Sequence, residues 1–183
     1  MAADRLTGYG ISQAGYWLPR ALAFEHRLRA AVADPGVVDV STSWTKSLTK
    51  GMRTLLTDGQ GNRFDQQMRL ATLIPGLRRT LAFRGRPYEH TDYYDLYRNV
   101  GRYRLTPELA AQVTTPLLIT DPEHEQFWPG QSDRLAALLP GRAELVAFTA
   151  AEGADHHCQP LGRLLTENRM FDWLEDRLAE PQG

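Results

Sequence analysis

The sequence predicts an α/β fold: a parallel sheet with helices over its faces, interrupted by a helical insertion. Three observations carry this. The runs Ala30-Ala31-Val32-Ala33 and Pro116-Leu117-Leu118-Ile119-Thr120 are continuously apolar rather than alternating, as strands buried on both faces are. Between such runs lie segments with helical apolar spacing, giving the strand-helix-strand alternation of parallel sheets. Residues 39 to about 112 break that alternation, with few β-branched runs and with turns at Gly51, Asp58-Gly59, Pro75-Gly76, Gly85 to Pro87 and Thr106-Pro107, the pattern of an insertion of about three to five helices.

Taken in order, residues 4 to 9 form a short strand running into Gly10-Ile11-Ser12-Gln13-Ala14-Gly15. Very small residues on either side of the serine let strand and helix approach without collision, and such a strained turn lifts a hydroxyl above the sheet. Residues 13 to 29 carry Tyr16, Trp17, Leu22, Phe24 and Leu28 among charged positions, as a helix with one buried face does; Pro19 lies in its early part, where proline costs least. Residues 30 to 34 make the next strand, closed by Pro35-Gly36, and complete a βαβ unit. After the insertion come a strand at 116–120, a helix from Gly130 to Leu139 stopped by Pro140-Gly141, and a strand from Glu144 to Thr149. A long amphipathic helix from Pro160 to Leu178 ends before Pro181. The expected division is therefore 1–38 and 113–183 for the core and 39–112 for the insertion. The insertion's tyrosines, Tyr88, Tyr93, Tyr94, Tyr97 and Tyr103, either line a ligand pocket or pack the insertion on the core.

Composition narrows the function classes. The chain has 183 residues, 42% of them hydrophobic, enough for a substantial core. Its formal net charge of -1 gives no electrostatic reason to expect nucleic acid or an anionic membrane surface as partner. Cys158 is the only cysteine, so no intrachain disulfide forms, and no apolar run approaches the ~20 residues of a membrane helix. The cytoplasm is the default location. No glycine-rich dinucleotide or phosphate loop is present, and no cofactor is expected.

In parallel sheets, ligands collect at the carboxyl ends of the strands. Here those positions are Ser12, Asp34, Asp121 to Glu125, and Glu152 to His157, so serine, acid and histidine occur in that chain order. That order resembles the α/β-hydrolase triad, in which a serine attacks a carbonyl, a histidine takes and returns its proton, and a carboxylate fixes the imidazole. On the stretches Gly8 to Trp17, Asp121 to Gln131, and Glu152-Gly153-Ala154-Asp155-His156-His157-Cys158-Gln159, the chain resembles the C-terminal half of an α/β hydrolase. The branch it looks like is the dipeptidyl aminopeptidase or acylaminoacyl-peptidase-like one, which also holds esterases and carbon–carbon bond hydrolases.

The resemblance implies a partial α/β-hydrolase fold with a helical cap, Ser12 as nucleophile and the Gln13 backbone amide as one oxyanion donor. It places the base at His157, with adjacent His156 as the alternative. Counting back from Pro129 gives Glu125 as the acid, with Asp121 and Glu123 remaining open. The cluster Asp121, Glu123, His124 and Glu125 lacks the second histidine of a zinc helix, so no metal is expected, and Cys158 is expected to be a packed thiol. The family's early strands and second oxyanion donor would precede Met1, so the chain is expected to be a truncated piece of a longer enzyme with an open sheet edge. The implied activity is cleavage of an ester, amide or related acyl bond in a small-molecule or peptide-like substrate. The competing reading is an inactive α/β-hydrolase-like module for binding or dimerisation. A missing N-terminal half or a second copy is the expected protein partner.

Overall fold

The structure is a computed structural model that describes residues 6–179. It divides into two compact units, one built from the chain up to Asp39 and from Arg104 onward, the other from Val40–Tyr103.

The first unit is a parallel four-stranded sheet in the order β1 (Thr7–Ile11), β2 (Ala30–Asp34), β3 (Leu117–Pro122) and β4 (Ala143–Phe148). Every residue of β2 is fully buried, which is why its sequence is apolar without alternation. Register then sorts side chains to the two faces. Thr7 and Tyr9 pair with Ala30 and Val32, and on that face Ala30, Val32 and Leu118 pack against Met170, Trp173 and Leu174 of α9 (Arg163–Ala179). The opposite face is nearly bare at Gly8 and Gly10, and α1 (Ala14–Leu22) lies close against it, with Leu18 filling the space where side chains would be. Helix α8 (Gln131–Leu138) covers the same face farther along, where Leu135 and Ile119 meet beside Gly36.

The second unit is helical: α2 (Ser41–Thr45), α3 (Lys50–Thr57), α4 (Gly61–Ala71), α5 (Pro75–Gly85) and α6 (Tyr93–Val100). Local chemistry sets its boundaries. Thr49 and Asp92 cap α3 and α6 by accepting from the amides of Met52 and Asp95, and Pro75 opens α5. Its aromatics pack edge to face, Trp44 on Tyr88 and Tyr97 at 5.8 and 5.7 Å, Phe64 on Tyr97 at 5.3 Å, and Tyr88 on Tyr103 at 4.9 Å. Most of the tyrosines in question therefore build this unit's own core, while Tyr93 borders a cavity of about 330 Å³ with Arg69, Arg78 and His90.

Several expected boundaries move. The first strand is Thr7–Ile11 rather than 4–9; residues 4 and 5 lie outside the described residues, as does Pro181, the expected stop of the last helix. Helix α1 ends at Leu22 instead of 29: a turn at residues 23–24 follows it, and residues 25–28 are irregular, with the Arg27 amide and guanidinium both bound to the Glu25 carboxylate. Phe24, expected on the buried face, is accordingly 64% exposed. The insertion spans 40–103 rather than 39–112. Residues 104 onward return to the sheet unit, with an ion pair of 2.9 Å between Arg104 and Asp39, and Leu105 N–H donating to the Val38 carbonyl at 2.8 Å. The short helix α7 (Pro107–Ala110) follows within the sheet unit. A single turn of 3₁₀ helix at Ala150–Glu152, closed by a capping box between Thr149 and Glu152, is absent from the sequence reading.

Gly15 shows how tightly α1 meets the sheet, since a Cβ there would fall on the Pro35 carbonyl oxygen. Backbone cannot retreat as a flexible side chain can. Gly15→Ala should therefore destabilise the fold by about 1–3 kcal/mol, read as a lowered urea midpoint with unchanged slope. Gly51→Ala, where the added Cβ meets nothing, should leave the midpoint unchanged or raise it.

Candidate active site

Three strand ends and the loops beyond them bring the site together. At the end of β1 the chain turns sharply at Ser12, whose φ of +57° is rare for a residue with a side chain. The turn is held from both sides. Ser12 N–H donates to the Asp34 carbonyl at 2.6 Å, and Gly15 N–H donates back to the Ser12 carbonyl at 2.9 Å. A Cβ at Gly10 would strike the Ala14 carbonyl, so only glycine lets the strand pass under the first turn of α1.

Beyond β3, Glu125 is almost completely enclosed, with 4% of its side chain exposed. One oxygen, Oε1, accepts from the amides of Phe127 and Trp128 at 2.7 and 3.1 Å. The other, Oε2, lies 2.8 Å from His157 Nδ1. Burial works against ionisation of this carboxyl, but the hydrogen bonds from His157 and the two amides, together with the His157 charge, hold it below the usual carboxylate range.

His157 lies on the loop after β4, and its Nε2 is 2.9 Å from Ser12 Oγ. An ionised carboxylate can only accept, so Nδ1 carries the hydrogen and Nε2 turns its lone pair to the serine hydroxyl. Phe127 and Trp128 flank the ring at centroid distances of 4.7 and 5.8 Å and limit its rotation. The next two residues, Cys158 and Gln159, also have positive φ, 57° and 42°. Each is tied down: the Cys158 thiol donates to the Asp34 carbonyl at 3.5 Å, and Gln159, fully buried, spans Thr120 and Thr166. Burial, with the nearby Asp34 charge, pushes the Cys158 thiol up to about 12, so it stays protonated at neutral pH and is a poor nucleophile.

The other candidates point elsewhere. His156 turns its Nδ1 to Asp155 at 2.9 Å. Glu123 accepts from the Ala150 amide at 2.9 Å. Asp121 is partly buried, and burial raises its carboxyl above the ordinary value. Gln13, the residue after Ser12, occupies the N-cap position of α1, where backbone amides face an incoming negative charge.

Asp34 is a strand-end position in the sequence to which no role was attached. It is fully buried at the end of β2 and accepts from Thr120 Oγ1 at 2.6 Å and from the Tyr9 hydroxyl at 2.7 Å, while Arg163 approaches it at 3.6 Å and donates to Tyr9 at 2.8 Å. Its carbonyl serves both Ser12 and Cys158. A lone acid closing a strand that is otherwise wholly apolar was the available signal. Burial, followed by the charge of Asp34, raises the Tyr9 phenol above its ordinary value, so Tyr9 remains a donor throughout the working pH range.

No protein-family model and no curated protein matches the chain. Solved structures do. Ninety-seven per cent of the chain aligns with 65% of the α/β hydrolase GrgF from Penicillium sp. sh18, at 16% identity and a TM-score of 0.61. It has the α/β-hydrolase fold. A 2,6-dihydroxy-pseudo-oxynicotine hydrolase aligns with 98% of the chain over 42% of its own length, at 20% identity and a TM-score of 0.62. The meta-cleavage product hydrolase CumD from Pseudomonas fluorescens IP01 aligns with 95% over 65%, at 17% identity and 0.55. The chain thus spans roughly two fifths to two thirds of the length of these α/β-hydrolase structures.

Two outcomes follow. Asp34→Ala strips the Tyr9 and Thr120 hydroxyls of their acceptor, while Arg163 keeps Glu167 at 2.9 Å, so unfolding free energy should fall by about 2–4 kcal/mol in urea titration. Because the Glu125 carboxyl is depressed in the folded state, its contribution to stability is present above the unfolded carboxylate value of 4.5 and is lost as pH falls through the lower folded value. The gap in urea midpoint between the native chain and Glu125→Gln should be constant near neutrality and narrow below about pH 4.5. A gap that widens on acidification would contradict this.

Proposed function

We propose that this chain is the catalytic portion of a serine hydrolase acting on an ester, amide or related acyl bond, with Ser12 as nucleophile, His157 as general base and acid, and Glu125 orienting the ring. One observation carries the reading: the 2.9 Å approach of His157 Nε2 to Ser12 Oγ while Nδ1 is engaged by a buried carboxylate. In that arrangement His157 takes the serine proton as Oγ attacks the carbonyl carbon. The resulting oxyanion is met by the Gln13 amide at the head of α1. His157 then returns the proton to the leaving group, and an acyl-Ser12 intermediate remains until water, deprotonated by the same nitrogen, attacks it. Hydrolase and esterase names among the similar folds favour this class without choosing the bond or substrate. The helical unit at 40–103 is assigned the role of substrate cap, and the substrate a small-molecule or peptide-like acyl compound.

We further propose that additional strands complete the sheet beside β1. The support is the partial coverage of the similar hydrolases and the exposed apolar side chains Ile11, Leu161, Leu164 and Phe171 on the sheet unit. A second oxyanion donor would come with them.

Labelling by a fluorophosphonate probe tests the site independently of substrate identity. The expected result is stoichiometric modification of Ser12, abolished in Ser12→Ala and slowed by about three to four orders of magnitude in His157→Ala and Glu125→Gln. Absence of labelling in a folded chain, or labelling that persists in Ser12→Ala, would favour an inactive binding module instead.

A further inference from the structure

The loops bearing Glu125 and His157 run side by side, and one residue earlier on each a second group of side chains converges. His124 and His156 are bridge partners in parallel register, and His124 N–H donates to the Asp155 carbonyl at 2.7 Å. Both histidines aim Nδ1 at the same carboxylate oxygen, Asp155 Oδ2, at 2.6 and 2.9 Å. Their rings stand at a centroid distance of 5.9 Å, and one ligand atom from each of the three residues lies within 4.8 Å of the others. None of the three touches Ser12. The histidines are 58% and 51% exposed, whereas Asp155 is 13% exposed.

We propose that His124, Asp155 and His156 bind a divalent transition-metal cation of the zinc type. Two imidazole nitrogens and one carboxylate oxygen are a ligand set that Zn²⁺ favours, with bonds of about 2.0–2.2 Å. Tetrahedral angles at those bond lengths put ligand atoms about 3.3–3.5 Å apart. The Nδ1–Oδ2 distances therefore need to open by less than about 1 Å, which rotation of two exposed side chains supplies while the backbone bridge stays in place. Binding exchanges two N–H···O hydrogen bonds for metal bonds, with each Nδ1 hydrogen moving to Nε2 or to solvent. Calcium and magnesium are poorly served, since the set holds one carboxylate and two nitrogens. The fourth position faces solvent, open to water or an exogenous ligand. A cation here would clasp the two loops one residue from Glu125 and His157. Any effect on turnover rests on the serine-hydrolase reading, but binding itself does not.

Calorimetric titration of the chelator-treated chain with Zn²⁺, paralleled by visible absorption of the Co²⁺ adduct, tests this. The expected result is one equivalent bound with a dissociation constant of about 100 μM or below, weakened at least ~10-fold in His124→Gln and in His156→Gln with circular dichroism unchanged. The exposed His26→Gln variant and Ser12→Ala should bind as the native chain does, so loss of hydrolase activity and loss of the metal site are separate results. No saturable binding below about 1 mM Zn²⁺, or binding that survives both His124→Gln and His156→Gln, would overturn the assignment.

Discussion

The carboxyl rim of the sheet is organised around one buried acid. Asp34 accepts through its side chain from β1 and β3 and through its carbonyl from Ser12 and Cys158. A carboxylate without solvent is tolerable only with such partners, and Arg163, donating to Tyr9 and approaching Asp34, supplies the opposite charge. The consequence is positional. The serine turn and the histidine loop, 145 residues apart in the chain, are referenced to the same carbonyl oxygen, so a hydrogen bond between them does not depend on loops finding each other by chance.

Strain is concentrated at the same place. Ser12, Cys158 and Gln159 all hold positive φ, a cost of order 1–3 kcal/mol each that only surrounding contacts sustain. Those contacts are the Asp34 carbonyl, the close seat of α1 on Gly10 and Gly15, and buried Gln159 between Thr120 and Thr166. A rim fixed this firmly holds His157 Nε2 2.9 Å from Ser12 Oγ, the kind of preorganisation the proposed acyl-transfer chemistry would draw on.

Much of this was legible in the sequence, and what was not has identifiable causes. Strands β2 and β3 are visible because burial on both faces writes itself into apolar runs, whereas β4, at the sheet edge, buries only Phe148; the elbow is visible because its steric demand restricts residue size. Glu125 was reachable only by its distance from Pro129, since three acids, Asp121 at the end of β3 and Glu123 and Glu125 beyond it, fall within five residues and hydrogen-bond geometry alone separates them. Helix α1 was overestimated because apolar residues such as Phe24 and Leu28 keep a helix-like spacing beyond the turn at 23–24 where the helix has already closed. The Asp34 side-chain network and the meeting of His124 with Asp155 and His156 were hidden for another reason: Tyr9 and Thr120 lie 25 and 86 residues from Asp34, and His124 lies 31 residues from Asp155, so they meet only through sheet register and loop pairing.

The central claim is that Glu125 fixes the His157 imidazole in the tautomer that leaves Nε2 free to take the Ser12 proton. Nitrogen-15 NMR of the histidine side chains at neutral pH measures this directly. The account predicts a protonated Nδ1 and an unprotonated Nε2 for His157, with that preference weakened in Glu125→Gln. A His157 ring protonated on Nε2, or one whose tautomer is unaltered by removing the Glu125 charge, would contradict it.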